Sequence, residues 1–305
     1  MHKLASSLLA RFFSTILIIL AIFVGSRALI RALPGDPVDT LIAESGTSIP
    51  RAVLLKELGL DRPFFEATAQ ELRSALHGDL GVSLLNKQPV LPLVKARFLN
   101  TLALTACAFF FALIFSLSLG LNAAQKPGGI ADSLCSLFGA LSASLPTPWL
   151  GPMLIILFAF WIPIFQLGDS LLLPALTLAL SISGFWSRLV RERVRETLRH
   201  GSAQAARARG LGEFKVVVKY GLAPASGLLA AYFGSQFGAL LSGAFVTEVI
   251  FNWKGMGNLL VNSVLRRDYP VIEAAICVGA ICAVSGTAIG DWIRSSIERR
   301  EEHQL

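Results

Sequence analysis

The stretch FLNTLALTACAFFFALIFSLSLGLNAAQ, from Phe98 to Gln125, contains no Asp, Glu, Lys or Arg. A spanning helix needs roughly 20 apolar residues, because each adds about 1.5 Å against a hydrocarbon core of about 30 Å. This run is long enough to cross a bilayer. Working outward, Ser133 to Gly168, Ser170 to Ser187 and Tyr220 to Thr247 are also free of charge, and each supplies a span. Ala274 to Gly290 is shorter, but Tyr269 and Trp292 bracket it as interfacial aromatics do. The first apolar block, Phe12 to Ser26, follows Lys3 and Arg11 as a secretory signal would. No small-x-small cleavage site precedes Arg27, and Leu4 to Leu33 spans if Arg11 and Arg27 extend toward opposite interfaces. A retained helix is the expectation, which makes six spans.

Composition agrees. A chain of 305 residues that is 54% hydrophobic and 15% charged is too apolar for a soluble or a disordered protein. The net charge of +7 does not indicate nucleic acid, because the cations are not interleaved with aromatics along a polar surface. Cys107, Cys135, Cys277 and Cys282 fall in apolar stretches and read as core residues, while His2, His77, His200 and His303 are scattered. No metal site and no cofactor site is expected.

Charge on the short loops sets orientation. Arg188 to Lys219 carries nine Lys or Arg against three Glu, so it is assigned to the cytoplasm. Counting spans from there puts both termini inside, together with Lys3, Arg11, Arg294, Arg299 and Arg300. The 64 residues from Pro34 to Arg97 then lie outside, with eight acidic and seven basic side chains. In this cap, Phe65, Ala69, Leu72 and Leu76 recur at helical spacing before Gly78, as do Val53, Leu54 and Leu58 before Gly59. The fold class is an all-α polytopic membrane protein with six transmembrane helices, both termini cytoplasmic, and a small extracytoplasmic helical cap.

Enzymatic chemistry finds little footing. No His lies within a span, and neither GxSxG nor GxxxxGK[ST] occurs. Glu248, Glu273 and Asp291 are single and near span ends, where they read as interfacial carboxylates. Gly234 with Gly238, and Ser116 with Gly120, are small pairs suited to close packing within the chain. Pro146, Pro148 and Pro152 interrupt the third span, leaving open a translocation pathway or a structural kink.

The cytoplasmic loop says more. Gln204-Ala205-Ala206-Arg207-Ala208-Arg209-Gly210-Leu211 sets small alanines on a helix that Gly210 stops, before a second apolar helix begins at Phe214. Alanines allow a partner to approach closely. The same composition suits an amphipathic helix lying on anionic lipid, and both readings stand at this point.

The segment resembles the EAA loop of ABC-importer permeases: Glu-Ala-Ala, three residues, Gly, nine residues, Ile, one residue, Leu-Pro. Ala205, Ala206, Gly210 and Leu222 fall in register without a gap. Gln204 replaces the Glu, Tyr220 the Ile, and Ala223 the Pro, with Pro224 one place late. Six further segments narrow the resemblance to the B-type permease of dipeptide, oligopeptide and nickel importers. They are Pro34 to Pro37 (PGDP), Leu58 to Pro63 (LGLDxP), Gly78 to Ser83 (GDLGxS), Leu173 to Leu178 (LPALTL), Ala206 to Leu211 (ARARGL) and Arg267 to Pro270 (RDYP). Gly201-Ser202 stands where that branch has Asp-Tyr, and Lys254 where it has Pro.

The resemblance implies one permease subunit of an ATP-driven, binding-protein-dependent importer in the inner membrane, moving di- or oligopeptides by alternating access. Relatives carrying nickel complexes or glutathione are the variant within the family, and an ion-coupled secondary transporter is the rival outside it. Its partners would be a second, C-type permease, two cytoplasmic ATP-binding subunits, an external substrate-binding protein and the lipid bilayer. ATP hydrolysis would belong to those partner chains, and no catalytic residue is expected here. The ATPase-coupling residues implied are Glu196, Gln204, Ala205, Ala206, Arg207, Gly210, Leu211 and Leu222. The chain is thereby divided into residues 1–33 (N-terminus and first span), 34–97 (cap), 98–295 (five-helix core with coupling loop 188–224) and 296–305 (cytoplasmic tail).

Overall fold

The computed structural model describes residues 2–32, 42, 50–52, 55, 62–162, 170–282 and 284–285. The Pro34–Pro37 motif, Val53, Leu54 and Leu58, most of the Leu58–Pro63 motif, Asp291, Trp292 and the tail lie outside these residues. Among the described residues every regular element is a helix. In chain order they are α1 (His2–Ala32), α2 (Phe64–Leu76), α3 (Val90–Gln125), α4 (Ile130–Ser144), α5 (Thr147–Ile155), α6 (Leu172–Leu198), α7 (Gly201–Ala208), α8 (Glu213–Val216), α9 (Ala223–Ile250), α10 (Met256–Leu265) and α11 (Tyr269–Cys282). Wider π turns at Val217–Leu222 join α8 to α9 without a break.

Among the described residues, three helices are long and apolar enough to cross a membrane: α3, α6 and the continuous stretch Glu213–Leu241. A fourth crossing results if α4 and Thr147–Phe158, bent by 105° at their junction, form one span. That bend lies at the prolines: Pro146 precedes α5, Pro148 sits in its first turn and Pro152 lies inside it. Phe13–Ala28 and α11 are apolar but shorter. Among the described residues, three or four helices therefore meet the length requirement of a span.

Two boundaries differ from the sequence reading. Charge marked the start of the second span at Phe98 and the end of the fourth at Ser187, yet α3 begins at Val90 and α6 runs to Leu198. Lys95, Arg97 and the Arg188–Leu198 stretch are helical, because charged residues leave an apolar window without leaving the helix.

Contacts divide the chain into two compact units: the described residues of Met1–Leu99 with Asn258–Ile281, and those of Asn100–Gly257 with the stretch from Cys282. In the first, Arg27 is buried. It donates to Glu71 on α2 at 2.7 Å and to Glu273 on α11 at 3.3 Å. Two carboxylates thus stabilise its charge inside the unit. The same unit joins two motifs that are distant in sequence. Asp268 of the RDYP segment accepts from the Ser83 hydroxyl at 2.5 Å and the Leu84 N–H at 3.1 Å.

The second unit is built around α6, whose buried Leu178, Ala179, Trp186, Val190, Val194 and Leu198 recur at three- and four-residue spacing. Small residues let its neighbours come close. A Cβ on Gly120 of α3 would stand 2.7 Å from both the Ser187 carbonyl and the Val190 side chain. The pairing of Ser116 with Gly120 thus serves packing within the chain. Gly139 and Gly184 do the same where α4 crosses α6, a signal the sequence reading missed. Trp186 then stacks with Phe233 at 4.6 Å and meets Phe109 edge-on at 5.5 Å.

Candidate functional site

The segment that leaves α6 carries most of the candidate residues named from the sequence. His200 is extended, which turns the chain into α7. On this short helix Ala203 and Ala206 are fully buried, while Gln204, Ala205, Arg207 and Ala208 are exposed. The inward alanines join the cluster of Val194, Leu198, Val216 and Val217. Ala206 therefore packs against its own chain, and the outward surface of α7 is carried by Gln204, Ala205, Arg207 and Ala208.

The helix ends as its sequence predicts. Gly210 has φ +78, its N–H bonds the Arg207 carbonyl at 2.9 Å, and the Leu211 N–H reaches back to the Ala206 carbonyl at 3.3 Å. This pair of bonds closes a Schellman cap, with Leu211 packed on the core below. A Cβ on Gly210 would meet nothing within 4 Å, so glycine is needed for its backbone angle and not for space. Three residues beyond Gly210, Glu213 accepts a two-pronged bond from Arg207, Nε to Oε2 at 3.1 Å and Nη2 to Oε1 at 2.7 Å. These bonds raise the Arg207 pKa and hold the Glu213 carboxyl below its ordinary range. Both groups precede the charge-free span that begins at Tyr220.

The next helix, which begins at Glu213 where Phe214 was expected, is fastened to α6. The Thr197 hydroxyl bonds the Gly221 carbonyl at 2.7 Å, and a Cβ on Gly221 would lie 2.8 Å from Val194 Cγ1. Tyr220 and Leu222 pack against the same core. Glu196 stands exposed on α6, its carboxylate 3.0 Å from Arg193 one turn earlier.

A second cluster fixes the base of this segment. Asp132 of α4 accepts from Arg191 at 2.8 Å, from Arg195 at 2.9 Å and from the Gly128 N–H at 2.8 Å. Arg195 also donates to the Ala123 carbonyl near the end of α3 at 2.7 Å. Two of the cations counted as loop charge are therefore spent inside the chain, binding three helices together. Sequence reasoning missed this, although Asp132 is the one acid between the second and third spans.

The loop after α9 is organised differently. Glu248, read from sequence as an interfacial carboxylate, is fully buried. It accepts from the Thr101 hydroxyl at 2.5 Å and the Gly257 N–H at 2.6 Å, and Thr101 in turn accepts from the Met256 N–H at 2.8 Å. Gly255 lies against the carboxylate with no room for a Cβ. Trp253 donates its indole N–H to the Asn100 carbonyl at 3.1 Å, and Asn100 donates back to the Lys254 carbonyl at 2.7 Å. Among the described residues no group of three His, Cys, Asp or Glu is placed to hold a metal ion.

Comparison with known proteins meets this geometry. Residues 116–303 match the family described as "Binding-protein-dependent transport system inner membrane component". The chain belongs to that family. The glutathione transport system permease protein GsiC of Pectobacterium atrosepticum is 33% identical over 273 residues, covering 88% of this chain and 89% of that one. GsiC of Escherichia coli is 35% identical over 253 residues, covering 81% and 82%. A crystal structure of an amino acid ABC transporter with histidines superposes with a TM-score of 0.52 at 16% identity, over 67% of this chain and 94% of that one, which speaks for the fold. The resemblance read from the motifs is borne out: this is a multi-pass membrane permease subunit of an ABC importer in the peptide and nickel family.

Proposed function

We propose that this permease forms half of a translocation pathway that opens alternately to either side of the inner membrane, driven by ATPase chains docked at α7. The observation that carries the proposal is α7 itself: an exposed small-residue surface, closed by a glycine cap and rooted by buried alanines in the central α6 core. A helix held this rigidly transmits a push to the bundle without deforming first.

In this reading the basic segment from Arg188 to Lys219 and both termini face the cytoplasm, the 34–97 cap faces outward, and six helices span. The coupling residues are Glu196, Gln204, Ala205, Arg207, Gly210, Leu211 and Leu222, with Ala206 acting through packing. A C-type permease, two ATP-binding subunits and an external binding protein complete the machine. The cargo is a short peptide-like molecule, and glutathione, a tripeptide named for both relatives, is the first to assay.

Uptake into sealed vesicles holding the co-expressed complex tests this reading. Uptake that requires ATP and survives an uncoupler supports it. Uptake abolished by the uncoupler and indifferent to ATP points to an ion-coupled carrier instead. Impermeant thiol labelling of cysteines placed at Ser74 (cap) and Gln204 (α7) tests the orientation: label at 74 and protection at 204 in intact cells is the expected pattern.

A further inference from the structure

Downstream of α7 the chain presents a face that the coupling reading does not use. Across α8 and the π turns, Val216, Val217 and Gly221 are buried, whereas Phe214, Lys215, Val218 and Lys219 are exposed. Phe214 is 68% exposed, an unusual position for a large aromatic in a polar segment. Its acidic neighbour Glu213 is drawn back by Arg207, so the charges on the exposed face are cationic. The Lys219 ammonium lies 5.7 Å from the centroid of the Tyr220 ring. We infer that Phe214 and Val218 insert into the bilayer interface while Lys215 and Lys219 bind anionic lipid headgroups, making this face a membrane anchor separate from the ATPase-facing surface of α7.

Position and composition favour lipid over protein. The helix runs without a break from Glu213 to Leu241, and the six residues from Phe214 to Tyr220, at about 1.5 Å each, place Phe214 roughly 9 Å along the axis from the start of the charge-free run. That distance is close to the thickness of one interfacial layer, where aromatic rings and extended lysines concentrate. Two lysines flanking two apolar side chains at four-residue spacing match an anionic membrane surface.

The test places a nitroxide at position 214, and separately at 204, in an otherwise cysteine-free chain that retains uptake. The whole transporter is reconstituted in phosphatidylcholine nanodiscs with and without one-quarter phosphatidylglycerol. Collision with oxygen relative to a water-soluble nickel chelate reports depth. The ratio should be about threefold or more higher at 214 than at 204, and higher still with phosphatidylglycerol. Lys215→Gln with Lys219→Gln should remove the phosphatidylglycerol effect, and Phe214→Leu should preserve anionic-lipid stimulation of uptake where Phe214→Glu loses it. Free collision of the nickel chelate at 214 would overturn the inference, as would a label shielded from both reagents once the ATPase chains bind, which would assign Phe214 to a protein interface.

Discussion

Two connecting segments of the same compact unit solve the problem of turning the chain in opposite ways. The turn from α6 through α7 to α9 keeps its polar groups outside: Arg207 and Glu213 are each more than one-third exposed. The turn from α9 to α10 has Glu248 drawn entirely inside, where the Gly257 N–H and the Thr101 hydroxyl donate to it. An exposed surface on a firm root suits the docking role proposed for α7. A segment that must hold its shape unaided gains from internal hydrogen bonds, which in a dry site are strong and costly to lose. The difference gives the two turns different vulnerabilities.

The largest effect should come from breaking the sealed turn. Glu248→Leu leaves the Gly257 N–H and the Thr101 hydroxyl without their acceptor in a buried site, at about 1–3 kcal/mol for each orphaned group. The variant should lose several degrees of thermal stability in detergent and much of its membrane yield. An unchanged melting temperature would show that water replaces the carboxylate and that the turn is not sealed.

Next comes a contrast within α7. Ala206→Trp forces a large ring into a fully buried position and should cost about 1–3 kcal/mol or more, appearing as lower stability of the permease alone. Ala205→Trp, one residue away and exposed, should leave that stability unchanged while weakening ATPase binding and uptake. If both variants melt normally, α7 is not rooted as described; if Ala205→Trp transports normally, the exposed face is not the docking face.

That contrast shows what could be read in advance. The apolar runs marked the long helices α3, α6 and α9 because charge is excluded from a span, and Gly210 announced its cap because this helix end takes a positive φ. Which alanine faces inward was not legible: Ala205 and Ala206 are chemically alike, and only the placement of Val194, Leu198 and Val216 decides between them. Glu248 was misread for a related reason. A single acid at a span end looks interfacial until Thr101, far away in sequence, is seen to donate to it. Arg27 likewise has partners, Glu71 and Glu273, that lie far from it in sequence. Pairing across the fold leaves no local mark.

A smaller effect separates caps of one design. Gly210 (φ +78) and Asn252 (φ +50) both close a helix with a residue in the left-handed region. Gly210→Val should cost about 1–2 kcal/mol, because a β-branched residue is strained there, and Gly210→Asn only a fraction of that. Asn252→Gly should be close to neutral. Urea titration of the permease in micelles ranks the three, and a Val variant as stable as the Asn one would remove backbone angle as the reason for Gly210.

The smallest effect belongs to the exposed ion pair. Arg207 and Glu213 meet in good two-pronged geometry, but with 39% and 38% of their side chains exposed, solvent screening limits the pair to about 0.2–1 kcal/mol. Bonding to Arg207 holds the Glu213 pKa below its usual 4.5 in the folded chain. A depressed carboxyl stabilises the fold fully above its unfolded pKa, and that contribution is lost as pH falls through the folded value. Glu213→Gln should therefore lower stability slightly at pH 7, that cost should shrink as pH falls below 4.5 and through the depressed folded pKa, and moderate salt should shrink the difference at pH 7. The comparison of the two turns supplies the sharper test: Glu248→Leu, acting through buried bonds, should keep its large effect in the same salt series. If salt relieves both variants equally, the carboxylate of the sealed turn is reached by solvent and the distinction between the two turns fails.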